Sequence, residues 1–175
     1  SNGSGKTTLI NCIIGELKGE GNITVLDSVP DIQSVEFKKG IGIVLDNDLL
    51  IDYLTLDEYL WFVGSSYFIE KNELSIRIDY WISYFNLQEY RNRLVKYFSH
   101  GMRKKTQIIS SLLHKPDILI VDEPTNGLDI ETIYHFKNLL IELKNTNITT
   151  LISTHNLSFV EEVCDSIAIV SGGEI

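Results

Sequence analysis

Cysteine, proline and methionine are scarce in this chain of 175 residues, with two, three and one of each. The two cysteines, Cys12 and Cys164, lie far apart, each inside an apolar segment of helical period. That excludes a disulfide scaffold, and neither has a neighbour at metal-ligand spacing. Both read as small buried hydrophobes of a reducing compartment. No low-complexity stretch, repeat or charge run reads as a linker or tail. Positive charge is also short. Fifteen Lys and Arg against 24 Asp and Glu give a net charge of −9, which opposes broad electrostatic binding to nucleic acid or anionic lipid. No apolar run approaches the length of a bilayer span, and the first residues do not form a charged-then-apolar signal pattern. Any membrane attachment is therefore expected through a partner, and no direct nucleic-acid contact is expected.

What is present is ordinary globular material, 43% hydrophobic and 22% charged, enough for one domain with a sizeable core. Its first eight residues, Ser1-Asn2-Gly3-Ser4-Gly5-Lys6-Thr7-Thr8, run into Leu9, Ile10, Ile13, Ile14 and Leu17 at helical spacing. They meet the phosphate-loop pattern G-x-x-x-x-G-K-[ST] from its second position onward. A triphosphate needs converging backbone N–H groups and little side-chain bulk, which Gly3 and Gly5 supply, and the following helix adds its positive end. Lys6 would reach the β- and γ-phosphates, Thr7 would complete the coordination of Mg2+, and Thr8 would add a phosphate contact. The competing reading is a flexible Gly/Ser tail, against which the immediate helix stands. Because the pattern's first glycine would precede Ser1, a fragment lacking the strand that delivers the loop is expected.

Downstream, strands alternate with helices. Asn22 to Leu26, Ile41 to Leu45, Ile118 to Val121, Thr149 to Ser153 and Ser166 to Val170 read as strands. Thr55 and Glu58 form a capping-box pair before the stripe Leu56, Tyr59, Leu60, Val63 and Tyr67, and Leu74, Ile78, Trp81, Ile82 and Phe85 make a second stripe. Their aromatic richness is read first as core, though it also suits a docking surface. A basic stretch, Arg103-Lys104-Lys105, opens a helix that Pro116 stops; further helices follow Asp129 and span Leu157 to Cys164. This order implies an α/β fold with a mainly parallel sheet covered on both faces.

Parallel strands present whatever follows their C-terminal ends to the ligand crevice. After Ile118 to Val121 come Asp122 and Glu123, read as an Mg2+ holder and as the general base for an attacking water rather than as a solvated acidic turn. After Thr149 to Ser153 comes His155, placed to donate to a γ-phosphate or hold the water; an isolated histidine is otherwise a surface or core residue. His100, His114 and His135 lack that setting. Ser99-His100-Gly101 is either a second anion site at a helix start or simply an N-cap.

Taken together, these motifs resemble the nucleotide-binding domain of an ABC transporter over essentially the whole chain. SNGSGKTT is similar to the Walker A loop, FSHGM to the signature motif, ILIVDE to Walker B, NGLD to the D-loop and STH to the switch-histidine loop. The resemblance implies a P-loop NTPase core (1–47 and 104–175) with an inserted helical subdomain (about 48–103). It implies ATP and Mg2+ as ligands and ATP hydrolysis that powers separate transmembrane permease subunits from the cytoplasmic face of the membrane. It also implies a head-to-tail dimer, in which Ser99, Gly101 and Met102 of one copy meet ATP held by the Walker A loop of the other, with Asp129 joining the two sites. LTLDEYL and the S-x-G-M signature are most similar to bacterial exporter ATPase subunits.

The chain departs from the family's pattern in three places. Asp46, followed by Asn47, occupies the strand-end place usual for glutamine; an aspartate there can ligate Mg2+ but adds negative charge beside ATP, which bears on metal affinity and on coupling to the membrane subunit. His100 replaces the first signature glycine, and Lys104-Lys105 stand where Gln-Arg is commoner. Upstream strands and the adenine-stacking aromatic residue are missing. Two alternatives are a soluble ABC ATPase acting on ribosomes or DNA and a degenerate ATP-binding regulator. The span from Asp48 to Phe98 is too short for the coiled-coil insertion of chromosome-associated ATPases.

Overall fold

The computed structural model describes residues 4–146 and 148–175. Its elements are α1 (Lys6–Ile13), α2 (Val35–Gly40), β1 (Ile41–Val44), α3 (Leu56–Ser66), α4 (Lys71–Tyr84), α5 (His100–Leu112), β2 (Ile118–Asp122), α6 (Ile130–Lys144), β3 (Thr149–Ser153) and α7 (Leu157–Val163), with single 3-10 turns at Gln88–Tyr90 and Val95–Tyr97.

The described strands form one parallel sheet in the order β1-β2-β3, with Ile41 opposite Ile118 and Ile118 opposite Thr149. β2 is central and its four apolar residues serve two cores. Leu119 and Val121 face the large cluster built from α3, α4, α5, α6 and α7, while Ile118 and Ile120 face a smaller one with Ile10 and Ile14 beside α1 and Phe37 of α2. This period-2 division explains why a parallel strand reads as an unbroken apolar run. β1 packs so closely on α5 that a Cβ at Gly42 would collide with the Ser111 carbonyl oxygen and press on Pro116.

The helices start where local chemistry favours it. Thr55 and Glu58 complete the anticipated capping box, with Thr55 N donating to Glu58 at 2.8 Å and Glu58 N to Thr55 at 3.3 Å. Ser99, Asp129 and Asn156 cap α5, α6 and α7 by accepting from backbone N–H groups.

Two expected strands are absent. Around Asn22 to Leu26 there is only an isolated Val25–Ser28 bridge, because Leu26 and Asp27 take φ of 51° and 58° and turn the chain back on itself. The segment Ser166 to Val170 is irregular, with Ile167 and Ile169 exposed, and among the described residues no strand pairs with it. A cleft of about 760 Å³, lined by Leu9, Ile10, Ile152, Ile169 and Val170 among others, runs along β3. The first helix is also shorter than its periodicity predicts: it ends at Ile13, and Gly15 follows with φ 79°. The short helix α2 was not expected; Ser34 caps it by accepting from Phe37 N at 3.3 Å.

A candidate nucleotide site at the strand ends

Gly5 stands at the start of α1 with φ 102°, a conformation open to glycine, and its carbonyl accepts from Leu9 N at 2.9 Å. This fixes Lys6 and Thr7 in the first helical turn. Ser4 is buried and its hydroxyl accepts from Lys6 Nζ at 3.4 Å; Thr8 is exposed. Asn2 and Gly3 lie outside the described residues.

Three sequence segments converge here. Thr7 Oγ1 donates to Asp122 Oδ2 at 2.9 Å, across 115 residues of chain. Lys6 Nζ stands 3.9 Å from Glu123 Oε1, and His155 Nδ1 is 2.9 Å from Glu123 Oε2. Glu123 thus bridges the lysine of the loop and the histidine beyond β3. Both carboxylates are buried, Asp122 at 3% exposure and Glu123 at 9%, whereas the His155 side chain is half exposed. Glu123 has φ 46°, an unusual left-handed conformation for a side-chain-bearing residue. It is pinned by Glu123 N donating to Ser153 O at 2.8 Å and Asn126 N donating to Glu123 O at 3.3 Å.

Asp122 Oδ1 is buried without a hydrogen-bond partner. An orphaned carboxylate oxygen beside a threonine hydroxyl is the hard-oxygen donor set that Mg2+ takes, with further positions left to water and substrate phosphates. The residues therefore fit the ion. Among the described residues no cluster of three or more His, Cys, Asp or Glu has metal-holding geometry, so an all-protein cage is not built here.

The signature residues form a second group. Ser99 Oγ accepts from Met102 N at 3.3 Å, and a Cβ at Gly101 would lie 3.5 Å from Asp129 Oδ2 and 3.4 Å from Thr132 Oγ1. The His100 ring lies against Gly127, where an added Cβ would come within 3.1 Å of it. Ser99 and His100 are exposed, as is Asp129. The start of α5 and the turn before α6 therefore present one continuous surface.

Three features escaped the sequence reading. Asp46 Oδ1 accepts from Asn126 Nδ2 at 3.2 Å, so the end of β1 is tied to the turn after Glu123. Arg103 donates to Asp48 and, at 2.7 Å, to Asp52, stapling α5 to the loop after β1; its hydrogen bond holds the Asp48 carboxyl below the usual range. Lys104 is only 3% exposed and donates to Leu45 O at 2.7 Å. Burial pushes its ammonium below the lysine range, and Asp46, Asp48 and Asp122 pull it back. The sequence marks Asp46 and the basic triplet, but not these contacts. Cys12 and Cys164 are free but partly buried, less enclosed than expected.

A family model described as ABC transporter matches residues 1–126. The chain belongs to the ABC transporter ATP-binding family. It is 35% identical over 176 residues to the ABC transporter ATP-binding protein NatA of Bacillus subtilis, covering 99% of this chain and 72% of that protein. It is 35% identical over 175 residues to the linearmycin resistance ATP-binding protein LnrL of the same organism, of which it covers 56%. Among solved structures, an ATP-binding subunit of an ABC transporter superposes with a TM-score of 0.91 at 29% identity, covering 99% of this chain and 72% of that one. CbiO1 from Clostridium perfringens, part of the ABC transporter complex cbiONQ, gives 0.83 at 27%, with 99% and 71% covered. The α/β fold with its parallel sheet is that of ABC ATPase domains.

Proposed function

We propose that this chain hydrolyses ATP and thereby powers export through separate transmembrane subunits, working as a dimer on the cytoplasmic face of the membrane. The observation that carries this reading is the meeting of Lys6, Thr7, Asp122, Glu123 and His155, drawn from three distant segments, at one end of the sheet. Among the described residues no helix is long and apolar enough to cross a membrane, which fits a subunit that relies on membrane partners. CbiO1 is itself described as part of a transporter complex. LnrL is named for linearmycin resistance, which favours the export direction.

In this mechanism the loop holds the phosphates and Lys6 neutralises charge on the β- and γ-groups. Glu123 accepts a hydrogen bond from the attacking water and takes its proton as the water oxygen bonds to the γ-phosphorus and the bond from that phosphorus to the β,γ-bridging oxygen breaks, releasing ADP and inorganic phosphate. His155, with Nδ1 on Glu123, holds the carboxylate and presents its other ring nitrogen to the γ-phosphate. Mg2+ bound at Thr7 and Asp122 would offset the charge that builds up on the phosphate oxygens. Ser99, Gly101 and Met102 act on the nucleotide of a second copy, and Asp129 lies between the two sites. The core (1–47 and 104–175) and the helical subdomain (about 48–103) form one nucleotide-binding unit. The cleft along β3 suits a further strand that would deliver the phosphate loop.

The test is Lys6→Ala in the intact protein, read by titration with a fluorescent ATP analogue. Affinity is expected to fall by at least about 100-fold, the loss of a charge-assisted phosphate contact in a partly enclosed site. Undiminished affinity would count against the assignment.

A further inference from the structure

The three members of the basic triplet in α5 have different surroundings. Lys105 is partly exposed, Arg103 pairs with Asp48 and Asp52, and Lys104 is enclosed with its ammonium on the Leu45 carbonyl. A buried ammonium requires compensating negative charge, and the carboxylates that act on Lys104 are Asp46, Asp48 and Asp122. Asp48 is engaged by Arg103, and one oxygen of Asp122 by Thr7. Asp46 accepts from the neutral Asn126 amide and, among the described residues, forms no ion pair within salt-bridge distance.

The chemistry at Asp46 presents a difficulty. A carboxylate at the end of β1, joined to the turn that carries Glu123, repels a triphosphate held by Lys6 and Thr7. Both positions, 46 and 104, are places where the resemblance noted above puts glutamine. In place of that neutral pair this chain carries two opposite charges with no net charge. We infer that Lys104 is a positioning residue that works as one unit with Asp46: its buried charge, fixed on Leu45 O, cancels the aspartate's repulsion of the nucleotide and holds the strand end in place. This deepens the ATP-site reading and rests on it.

The test is a double-mutant cycle in the intact protein comprising wild type, Lys104→Gln, Asp46→Gln and the double variant. Each is read by affinity for a fluorescent ATP analogue with and without Mg2+, and by thermal unfolding without nucleotide. Lys104→Gln is expected to weaken binding by about tenfold, and by more when Mg2+ is omitted. The double variant is expected to return to within about threefold of wild type. A lysine needed only for packing would lower the melting temperature, and adding Asp46→Gln would restore nothing. Wild-type affinity in Lys104→Gln, or a double variant as weak as that single one, overturns the inference. Should Lys104→Gln alone fail to fold, recovery of fold and affinity in the double variant supports the unit, and failure of the double overturns it. Absence of binding by wild type in the same titration would instead remove the ATP-site reading itself.

Discussion

Glu123 concentrates the chemistry at the scale of single residues. It is buried, sits at φ 46°, and meets Lys6 through one oxygen and His155 through the other. A left-handed conformation at a residue with a side chain costs on the order of 1–3 kcal/mol, so the surrounding hydrogen bonds must over-determine it. Glu123→Gln keeps the shape and removes the proposed base. Phosphate release should fall by about 10²–10⁴-fold while ATP affinity stays within about threefold. His155→Ala should lower turnover by a smaller factor, since in the proposed mechanism it works partly through the Glu123 carboxylate that its Nδ1 meets. Normal turnover in Glu123→Gln would remove it from the base role. Glu123 and His155 were legible as candidates because each follows an apolar strand, whose end a parallel sheet carries to the crevice, and Lys6 because it stands in the phosphate-loop pattern. Lys104 was not legible: nothing in Arg103-Lys104-Lys105 announces that the middle residue is enclosed. Nor could Arg103 be matched to Asp48 and Asp52 across about fifty residues without the packing of α5 on the β1 loop.

Among whole elements, the contact of β1 with α5 decides how the site is held. Gly42 allows the strand to approach the Ser111 carbonyl, and Gly42→Ala should destabilise the protein by about 1–3 kcal/mol, measured as a shift in denaturant midpoint. An unchanged midpoint would mean that the helix moves aside at little cost. The end of the same helix carries a pH-dependent contact. His114 stacks on Tyr67 at 4.0 Å and meets Ile41 O through Nε2 at 3.0 Å. Burial pushes its imidazole below the ordinary 6.5, so the folded state binds fewer protons than the unfolded one just below that value. The associated stability is complete above pH 6.5 and is lost as the pH falls through the depressed value. As the pH falls below 6.5, thermal midpoints of the wild type should drop more steeply than those of His114→Gln. Parallel curves would contradict this. Helices and central strands were legible because their periodicity coincides with burial. The two segments that failed, Asn22 to Leu26 and Ser166 to Val170, have β-branched composition but join no sheet among the described residues beyond the local Val25–Ser28 bridge, and composition cannot supply a hydrogen-bonding neighbour.

For the whole molecule, the separation of the residues into two groups matters most. Lys6, Thr7, Asp122, Glu123 and His155 converge at the strand ends, while Ser99, Gly101 and Asp129 share an exposed surface at the start of α5. If a functional site takes one group from each of two copies, two inactive variants should complement each other. Lys6→Ala and Ser99→Ala are each expected to be inactive alone. In a mixed dimer both lesions fall in one site, and the other site keeps an intact Lys6 facing an intact Ser99. The decisive measurement is therefore MgATP turnover of the two purified variants, each alone and then mixed. The composite-site account predicts recovery of up to about a quarter of wild-type activity, since about half the dimers are mixed and each holds one good site. Mixtures no more active than their components would contradict it.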